Sequence, residues 1–338
     1  YETVRRADIV LRSFRAGVAE RLGYDENSLL AVNPDLIYLN APGFGIDGPY
    51  GHRPAYAPTI GAGAGQAGRN LGPSMIQRDD LTMDELKCLS LRMGGAVMSG
   101  SNPDANSALA VATGMLLGLL ARRRGAPGQP MLTTMLNTMA HVLSEDMVEY
   151  EGRGPAPTVD AQIFGLGPLY RIYPAAEGTW VFLAAPAEKE WDALAQALAA
   201  YADFAGHGRF ATAESRVEHG VELAETLSGV FAAKTAGEWE RELTPLDVAC
   251  VMVSAGPSEA CIMEGDTALA RLEGQVAELD HPVIGAYIRL KPLVGFSRSQ
   301  GVAGGAPLLG QDTDAVLAEL GYGEAQIADL RARRIIGS

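Results

Sequence analysis

Short hydrophobic runs alternate with amphipathic segments along the first part of the chain. The run at 6–14, RADIVLRSF, has the aliphatic and β-branched content of a buried strand, and RAGVAERLG at 15–23 is typical of a helix that ends at a glycine. Asp25 is placed to cap a second helix, Pro34 closes that helix, and DLIYLN at 35–40 predicts a second strand. Strands that alternate with helices predict an α/β fold with a parallel sheet.

The second half of the chain continues the pattern with shorter elements. GTWVFLAAP at 178–186 predicts a strand and EKEWDALAQAL at 188–198 an amphipathic helix. The segment 222–253 predicts two more helices and a strand, with Trp239 in the core. The last part, from 281, is expected to end in a helix.

The longest apolar segment, 105–121, follows Asp104. It is short for a membrane span and contains Asn106, Ser107 and Thr113, so it predicts a buried core helix and no membrane contact. Asp104 lies where a helix N-cap belongs. There its carboxylate can accept backbone N–H groups and interact with the positive end of the helix dipole.

Before this helix, RDDLTMDELK within 69–101 predicts an exposed acidic helix, whose role is open. After it, PMLTTMLNTMAHVLSEDMVEY predicts a helix with one apolar face.

Composition narrows the function classes. The 338 residues are 47% hydrophobic and 20% charged, which is ordinary for a globular protein, and the formal net charge of -14 argues against broad nucleic-acid binding. Cys88, Cys250 and Cys261 are widely spaced and lack a C-x-x-C pattern, so neither disulfides nor a metal site is predicted. The chain opens without a signal-peptide pattern, and a cytoplasmic protein is expected.

Several motifs together carry a family resemblance. An acid opens a helix of small residues, and R-x-x-G-x-x-G-Q follows from Arg122. With ADIVLRSFRAG, NPDLIYLNAPGFGIDGPY and RPAYA, this resembles the class III CoA-transferases of the formyl-CoA and carnitine-CoA transferase type. The resemblance implies a Rossmann-like large domain with a parallel sheet at 1–155, a linker loop and smaller α+β domain at 156–280, and a segment at 281–338 that returns to the large domain. The family's opening segment is expected to be lacking.

The resemblance also implies roles for individual residues. Asp104 corresponds to the nucleophile that takes the acyl group from a CoA thioester, whereas the residue pattern alone indicates a helix cap. Arg15 corresponds to the arginine near the CoA phosphates, or is a solvated surface group. Tyr56 borders the active site. Ser13 replaces the family's asparagine, and Ala57 replaces the acid that follows the tyrosine; loss of that acid affects the expected substrate contacts but not the nucleophile.

A glycine-rich loop that closes over the acid is expected at 164–168, where Gly165 and Gly167 would supply backbone donors or simply form a turn. The G-x-G-x-x-G match at 63–68 is interpreted as close helix packing, because the dinucleotide fingerprint needs a preceding strand. The family also implies an interlocked homodimer, coenzyme A as part of the substrate, and no permanently bound cofactor.

Three functions remain open from the sequence. The first is an acyl-CoA:carboxylate CoA-transferase that works through an aspartyl mixed anhydride and an enzyme-CoA thioester. The second is a non-catalytic module of the same family within a larger protein. The third is an acyl-CoA racemase, which is disfavoured because Tyr56 stands where the racemases have a histidine and a phenol is a poor base at neutral pH.

Overall fold

The computed structural model describes residues 1–72, 78–98, 103–160, 162–204, 208–254 and 276–337. The chain divides into two compact units, which are residues 1–176 with 181–251, and residues 177–180 with 252–338. The predicted domain boundaries at 155 and 280 stay predictions.

A parallel three-stranded sheet organises the first part of the larger unit. Its strands are β1 (Ile9–Arg12), β2 (Ile37–Asn40) and β3 (Pro130–Leu132), in the order β1-β2-β3. Both neighbouring pairs run parallel, which confirms the predicted parallel sheet. The central strand β2 is buried along its whole length, as a strand covered on both faces must be.

Helices cover this sheet and connect its strands. Asp25 caps α3 as predicted, since its Oδ1 accepts the Ser28 backbone N–H at 3.1 Å and its Oδ2 accepts the Ser28 hydroxyl, and these bonds lower the pKa of Asp25. The acidic helix predicted within 69–101 is present as α6 (Met83–Met98). The helices are α1 (Glu2–Arg6), α2 (Val18–Leu22), α3 (Glu26–Val32), α4 (Ala57–Gly63), α5 (Gln66–Leu71), α6 (Met83–Met98), α7 (Pro103–Arg123) and α8 (Met135–Val142).

Strand β3 was not predicted, because the sequence favoured one continuous helix from residue 130. The chain instead pairs with β2 before α8 begins, and Gln129 accepts the Tyr38 backbone N–H at 3.1 Å. Gly128 permits this close approach: a Cβ there would lie 2.4 Å from the Asp35 carbonyl carbon. Pro130 fits the first position of a strand at the edge of the sheet, where a missing N–H is tolerated.

Helix α7 differs from the prediction in its burial. Only one face packs on the sheet, through Gly114 and Gly118, which lie against the side chains of Ile37, Leu39 and Met131. The opposite face is exposed and carries four leucines, namely Leu109, Leu116, Leu117 and Leu120. Within the described ranges, α7 is the one helix long and apolar enough to cross a membrane by length and composition. Its glycine face lies on a parallel sheet.

The second part of the larger unit has a well-packed core around four strands in the order β4-β5-β6-β7. Trp239 is fully buried, as predicted, and its indole N–H donates to the Phe231 carbonyl at 2.9 Å, while the Phe231 ring stacks on Tyr173 at 5.1 Å. The elements are β4 (Gly165–Gly167), β5 (Tyr170–Pro174), β6 (Trp180–Ala184), α9 (Glu188–Ala197), α10 (Ala213–Glu218), α11 (Gly220–Phe231), α12 (Ala236–Leu243) and β7 (Ala249–Met252).

The smaller unit contains an antiparallel hairpin of β8 (Val276–His281) and β9 (Gly285–Leu290). Two helices follow, α13 (Thr313–Glu319) and α14 (Glu324–Ala332), so the chain ends in a helix as predicted. An ion pair at 2.5 Å joins Arg331 to Asp314 across these helices.

Candidate functional site

A cavity of about 310 Å³ lies at the carboxyl edge of the parallel sheet, and we refer to it as the sheet-edge cavity. Each of the three strands contributes residues that follow its last position. In open α/β sheets, ligands bind outside the carboxyl ends of the strands, so this is the expected place for a ligand. The lining residues are Ser13, Arg15, Ala41, Pro42, Gly43, Phe44, Gly51, Arg53, Pro54, Ala55, Tyr56 and Met135.

Backbone contacts hold the loops around this cavity together. The Ala16 N–H donates to the Gly51 carbonyl at 3.3 Å, and the Leu136 N–H donates to the Gly43 carbonyl at 3.1 Å. Gly43 has no room for a side chain, because a Cβ there would lie 2.1 Å from the Cβ of Ala55. The loops after β1 and β2 and the start of α8 therefore form one connected wall with residues 51–56.

The structure brings Arg15 and Tyr56 together in this cavity, although they are far apart in sequence. Arg15 is exposed just after β1. Tyr56 is the N-cap of α4, and its backbone N–H donates to the Thr59 hydroxyl at 3.0 Å. The Tyr56 side chain is 71% exposed, so its phenol is accessible to a ligand in the cavity.

Arg53 also lines the sheet-edge cavity, and the sequence interpretation did not include it. Its guanidinium lies 3.9 Å from the centre of the Tyr50 ring, and that ring lies 5.4 Å from Phe44. The available signal was its place in RPAYA, three residues before Tyr56. Among the described lining residues the cavity has two guanidinium groups and no carboxylate, in a protein whose net charge is -14.

Asp104 lies in the first turn of α7, which the structure describes from Pro103, so it is a residue of the helix and the predicted N-cap position is wrong. The carboxylate is exposed and still lies at the positive end of the helix dipole. Beside it, Pro103 packs on α4, since a Cβ on Gly61 would lie 3.8 Å from the Pro103 ring. Asp104 thus neighbours the helix that Tyr56 begins, but it does not line the sheet-edge cavity.

The segment 63–68 forms the end of α4 and the start of α5, and Gly65 separates the two helices with a φ of +91°. The segment is preceded by helix α4 and not by a strand. This agrees with the packing interpretation and excludes the dinucleotide fingerprint.

Gly165 and Gly167 lie in strand β4, so the expected glycine-rich loop is wrong as a description of this segment. Gly165 pairs with Arg171 of β5, and a Cβ at Gly165 would lie 2.2 Å from the Tyr170 carbonyl oxygen. Close strand contact therefore explains this glycine. A Cβ added at Gly167 would meet no heavy atom within 4 Å, and this glycine lines a second cavity.

That second cavity has a volume of about 530 Å³ and lies between the β4–β5 segment and α11; we refer to it as the Arg171 cavity. Arg171 forms an ion pair with Asp160 at 3.2 Å and lies over the rings of Phe164 and Tyr173, at 5.1 and 5.2 Å. Asp160 Oδ1 also accepts the Phe164 backbone N–H at 2.9 Å. The charge of Arg171 is thus neutralised within the protein.

No group of three or more His, Cys, Asp or Glu side chains that could hold a metal ion is found in the part of the chain that the structure describes. Cys88 is exposed and Cys250 is buried in β7, where burial raises the pKa of the Cys250 thiol to about 12. Cys261 lies outside the described residues.

Comparison with known proteins matches residues 1–313 to CoA-transferase family III. A succinyl-CoA--D-citramalate CoA-transferase from Chloroflexus aurantiacus is 26% identical over 98% of this chain and 77% of its own length. An alpha-methylacyl-CoA racemase from Mus musculus is 26% identical over 98% of this chain and 80% of its own length. A solved CAIB/BAIF family protein from Brucella suis has a TM-score of 0.69 at 22% identity, covering 94% of this chain and 77% of its own, and supports the fold.

Proposed function

This chain belongs to CoA-transferase family III, and we propose that it transfers coenzyme A from an acyl-CoA donor to a carboxylic acid. The observation that carries the proposal is the family match over 1–313 in a chain that places an acid in the first turn of α7, beside the helix that Tyr56 begins. The sheet-edge cavity supports it, because two guanidinium groups suit an anionic ligand such as the phosphates of coenzyme A.

Asp104 is the proposed nucleophile. Its carboxylate attacks the thioester carbonyl of the donor and forms a mixed anhydride, while the CoA thiolate leaves. The thiolate then attacks the aspartyl carbonyl, which releases the donor acid and leaves an enzyme-CoA thioester. Covalent catalysis of this kind replaces one difficult exchange by easier steps.

The acceptor acid completes the cycle. Its carboxylate attacks the aspartyl thioester, so that a second mixed anhydride forms and the CoA thiolate leaves again. The thiolate attacks the acceptor's carbonyl, which gives the new acyl-CoA and the free Asp104 carboxylate. Electron pairs balance at each step, and no net proton transfer is needed.

Other groups of the larger unit suit this chemistry. The oxyanion formed at each attack needs fixed hydrogen-bond donors, and backbone N–H groups in the first turn of a helix are directed toward its start, where Asp104 lies. Arg15 and Tyr56 are proposed to contact the CoA moiety from the sheet-edge cavity. Gly167 borders the Arg171 cavity, and Gly165 supports that segment by its contact with β5. Coenzyme A enters as part of the substrate, and no resident cofactor takes part.

We propose that the protein is a cytoplasmic homodimer. The exposed leucine face of α7 supports the dimer, because the surface of four leucines is apolar enough to be covered by a second chain. Light scattering coupled to size-exclusion chromatography tests this directly, and a monomer at micromolar concentration would contradict it.

The decisive test replaces Asp104 with Asn. The amide can still interact with the helix start, so the fold should be kept, while exchange of labelled CoA between acyl-CoA and free acid should be lost. In the unaltered protein, hydroxylamine added during turnover should give a modified peptide that contains Asp104. Exchange by the Asn variant at the unaltered rate would contradict the mechanism.

Two further outcomes separate the other functions of the family. Coenzyme A binding without exchange by the unaltered protein would identify a non-catalytic module, for which Ala57 in place of the usual acid is the favouring observation. Solvent deuterium incorporated at the α-carbon of an acyl-CoA would identify a racemase.

A further inference from the structure

We propose that Arg53, held against the ring of Tyr50, is a second phosphate-binding residue, and that it forms with Arg15 a two-arginine clamp for the phosphate groups of the CoA moiety. The inference rests on the proposed function and deepens it. It adds one residue that contacts the substrate and one positioning residue, Tyr50.

The placement of Arg53 is the first argument. Its backbone N–H donates to the Tyr50 carbonyl at 2.9 Å, and its guanidinium lies 3.9 Å from the centre of the Tyr50 ring. The Tyr50 ring is itself in contact with Phe44, at 5.4 Å between ring centres. Stacking fixes the plane of a guanidinium without using its N–H donors, so all five remain available to a ligand.

The lack of a counter-charge is the second argument. None of the ion pairs among the described residues involves Arg15 or Arg53, whereas many other arginines of this acidic protein have a carboxylate partner. Those paired arginines are Arg5, Arg69, Arg78, Arg122, Arg171, Arg209, Arg216, Arg331 and Arg333. The two arginines that share the sheet-edge cavity are therefore open to an external anion.

The kind of anion follows from the number and geometry of the donors. Two planar guanidinium groups at one cavity of about 310 Å³ match a ligand with more than one negative charge and several acceptor oxygens. A phosphate or diphosphate has these features. The reacting carboxylic acid carries a single carboxylate and belongs near Asp104, which does not line this cavity.

The test compares coenzyme A with pantetheine, which has the same thiol arm but no phosphate. Calorimetry measures the affinity of both for the unaltered protein and for Arg53→Ala. Loss of a charge-assisted hydrogen-bonding residue should weaken coenzyme A binding by about tenfold to a hundredfold and leave pantetheine binding unchanged. Arg123→Ala, which removes the same charge from an exposed position at the end of α7, is the matched control and should bind both as the unaltered protein does.

Variants of Tyr50 test the positioning role. Tyr50→Leu removes the ring, so it should weaken coenzyme A binding by a smaller factor than Arg53→Ala, while Tyr50→Phe keeps the ring and should restore normal affinity. Inorganic pyrophosphate should compete with coenzyme A in the unaltered protein and not in Arg53→Ala.

Each contrary outcome has one meaning. Failure of the unaltered protein to bind coenzyme A at all contradicts the proposed function. Binding by the unaltered protein with an equal affinity in Arg53→Ala contradicts only the clamp. An equal loss of coenzyme A and pantetheine affinity in Arg53→Ala would show a structural role and also overturns the clamp.

Discussion

The two cavities of the larger unit both contain arginine side chains, but they differ in whether a carboxylate of the protein neutralises the arginine charge. In the Arg171 cavity, Asp160 neutralises the guanidinium at 3.2 Å and aromatic rings enclose it. In the sheet-edge cavity, Arg15 and Arg53 face the same space without a carboxylate among the described lining residues. A guanidinium that the protein neutralises itself supports the fold, whereas one left open at the end of a parallel sheet is available to a ligand.

The same difference appears in the contacts of each site. Asp160 binds Arg171 and also two backbone N–H groups of its own turn, at Gln162 and Phe164. Removing this pair therefore disturbs the chain that leads into β4. Arg53 is held by one exposed ring, so removing it changes the surface of the cavity and little else.

The largest expected effect is on stability, from Arg171→Met. The side chains of Arg171 and Asp160 are 14% and 24% exposed, so the variant leaves a largely buried carboxylate without its cation. We expect a loss of about 2–3 kcal/mol in the free energy of unfolding, somewhat below the usual cost for a fully buried pair. Urea denaturation measures it.

Coenzyme A affinity provides the control for this variant, because it should not change at a temperature where the protein stays folded. Asp160→Asn combined with Arg171→Met should cost less than the sum of the single changes. Unaltered stability in Arg171→Met, or a large loss of coenzyme A affinity, would remove the distinction between the cavities.

The two glycines of β4 should respond differently to alanine. A Cβ at Gly165 would lie 2.2 Å from the Tyr170 carbonyl oxygen, so Gly165→Ala must push β4 away from β5, at a cost of about 1–3 kcal/mol. Gly167→Ala meets no atom within 4 Å and should be almost neutral. Thermal unfolding of the matched pair measures the difference, and equal melting temperatures would contradict the strand contact.

Local patterns in the sequence were sufficient for much of the fold. Hydrophobic runs indicated β1, β2, β6 and β7, and Asp25 marked a helix start by its own hydrogen-bonding chemistry. Strand β3 has only three residues, and its pairing depends on a close approach at Gly128 that no periodicity reveals. Likewise, the composition of α7 showed that it is apolar but not which of its faces is covered.

The candidate site was predictable only where a family motif marks a residue. Asp104, Arg15 and Tyr56 were predicted in this way, and the structure places the last two in one cavity. Arg53 was not predicted, because its place in the cavity depends on loops that follow three different strands and come together only in the folded protein. Its stacking on Tyr50 and the absence of a carboxylate among the described lining residues are properties of that meeting and not of the local sequence.

A carboxylate added to the sheet-edge cavity should make it resemble the Arg171 cavity, with a smaller effect than the substitutions above. Ser13→Asp places a carboxylate among its lining residues, where it competes with an anionic ligand for the arginines. Because the site is exposed, we expect a loss of about 1 kcal/mol in coenzyme A affinity, or about fivefold, that decreases at high salt. Ser13→Asn has nearly the same shape without the charge. If both variants bind coenzyme A equally well, the cavity is not an anion site.

The smallest expected effect concerns Cys250, which is buried in strand β7 of the larger unit's second part. Burial, with a smaller contribution from Glu240, raises the pKa of Cys250 from 9.0 to about 12. Its folded pKa lies above the unfolded one, so its contribution to stability is complete below pH 9 and is lost as the pH rises from there. Between pH 8 and 9.5 the free energy of unfolding should fall by about 0.8 kcal/mol more in the unaltered protein than in Cys250→Ala.

Alkylation with iodoacetamide at pH 8 gives an independent measure of the same burial. Peptide mapping should find Cys88, which is exposed, modified in the native protein, and Cys250 modified only after denaturation, because the thiolate is the reactive form. Equal rates at the two cysteines would mean that β7 opens readily to solvent. In that case the contrast between a tightly packed second part and an open sheet-edge cavity would not describe the protein in solution.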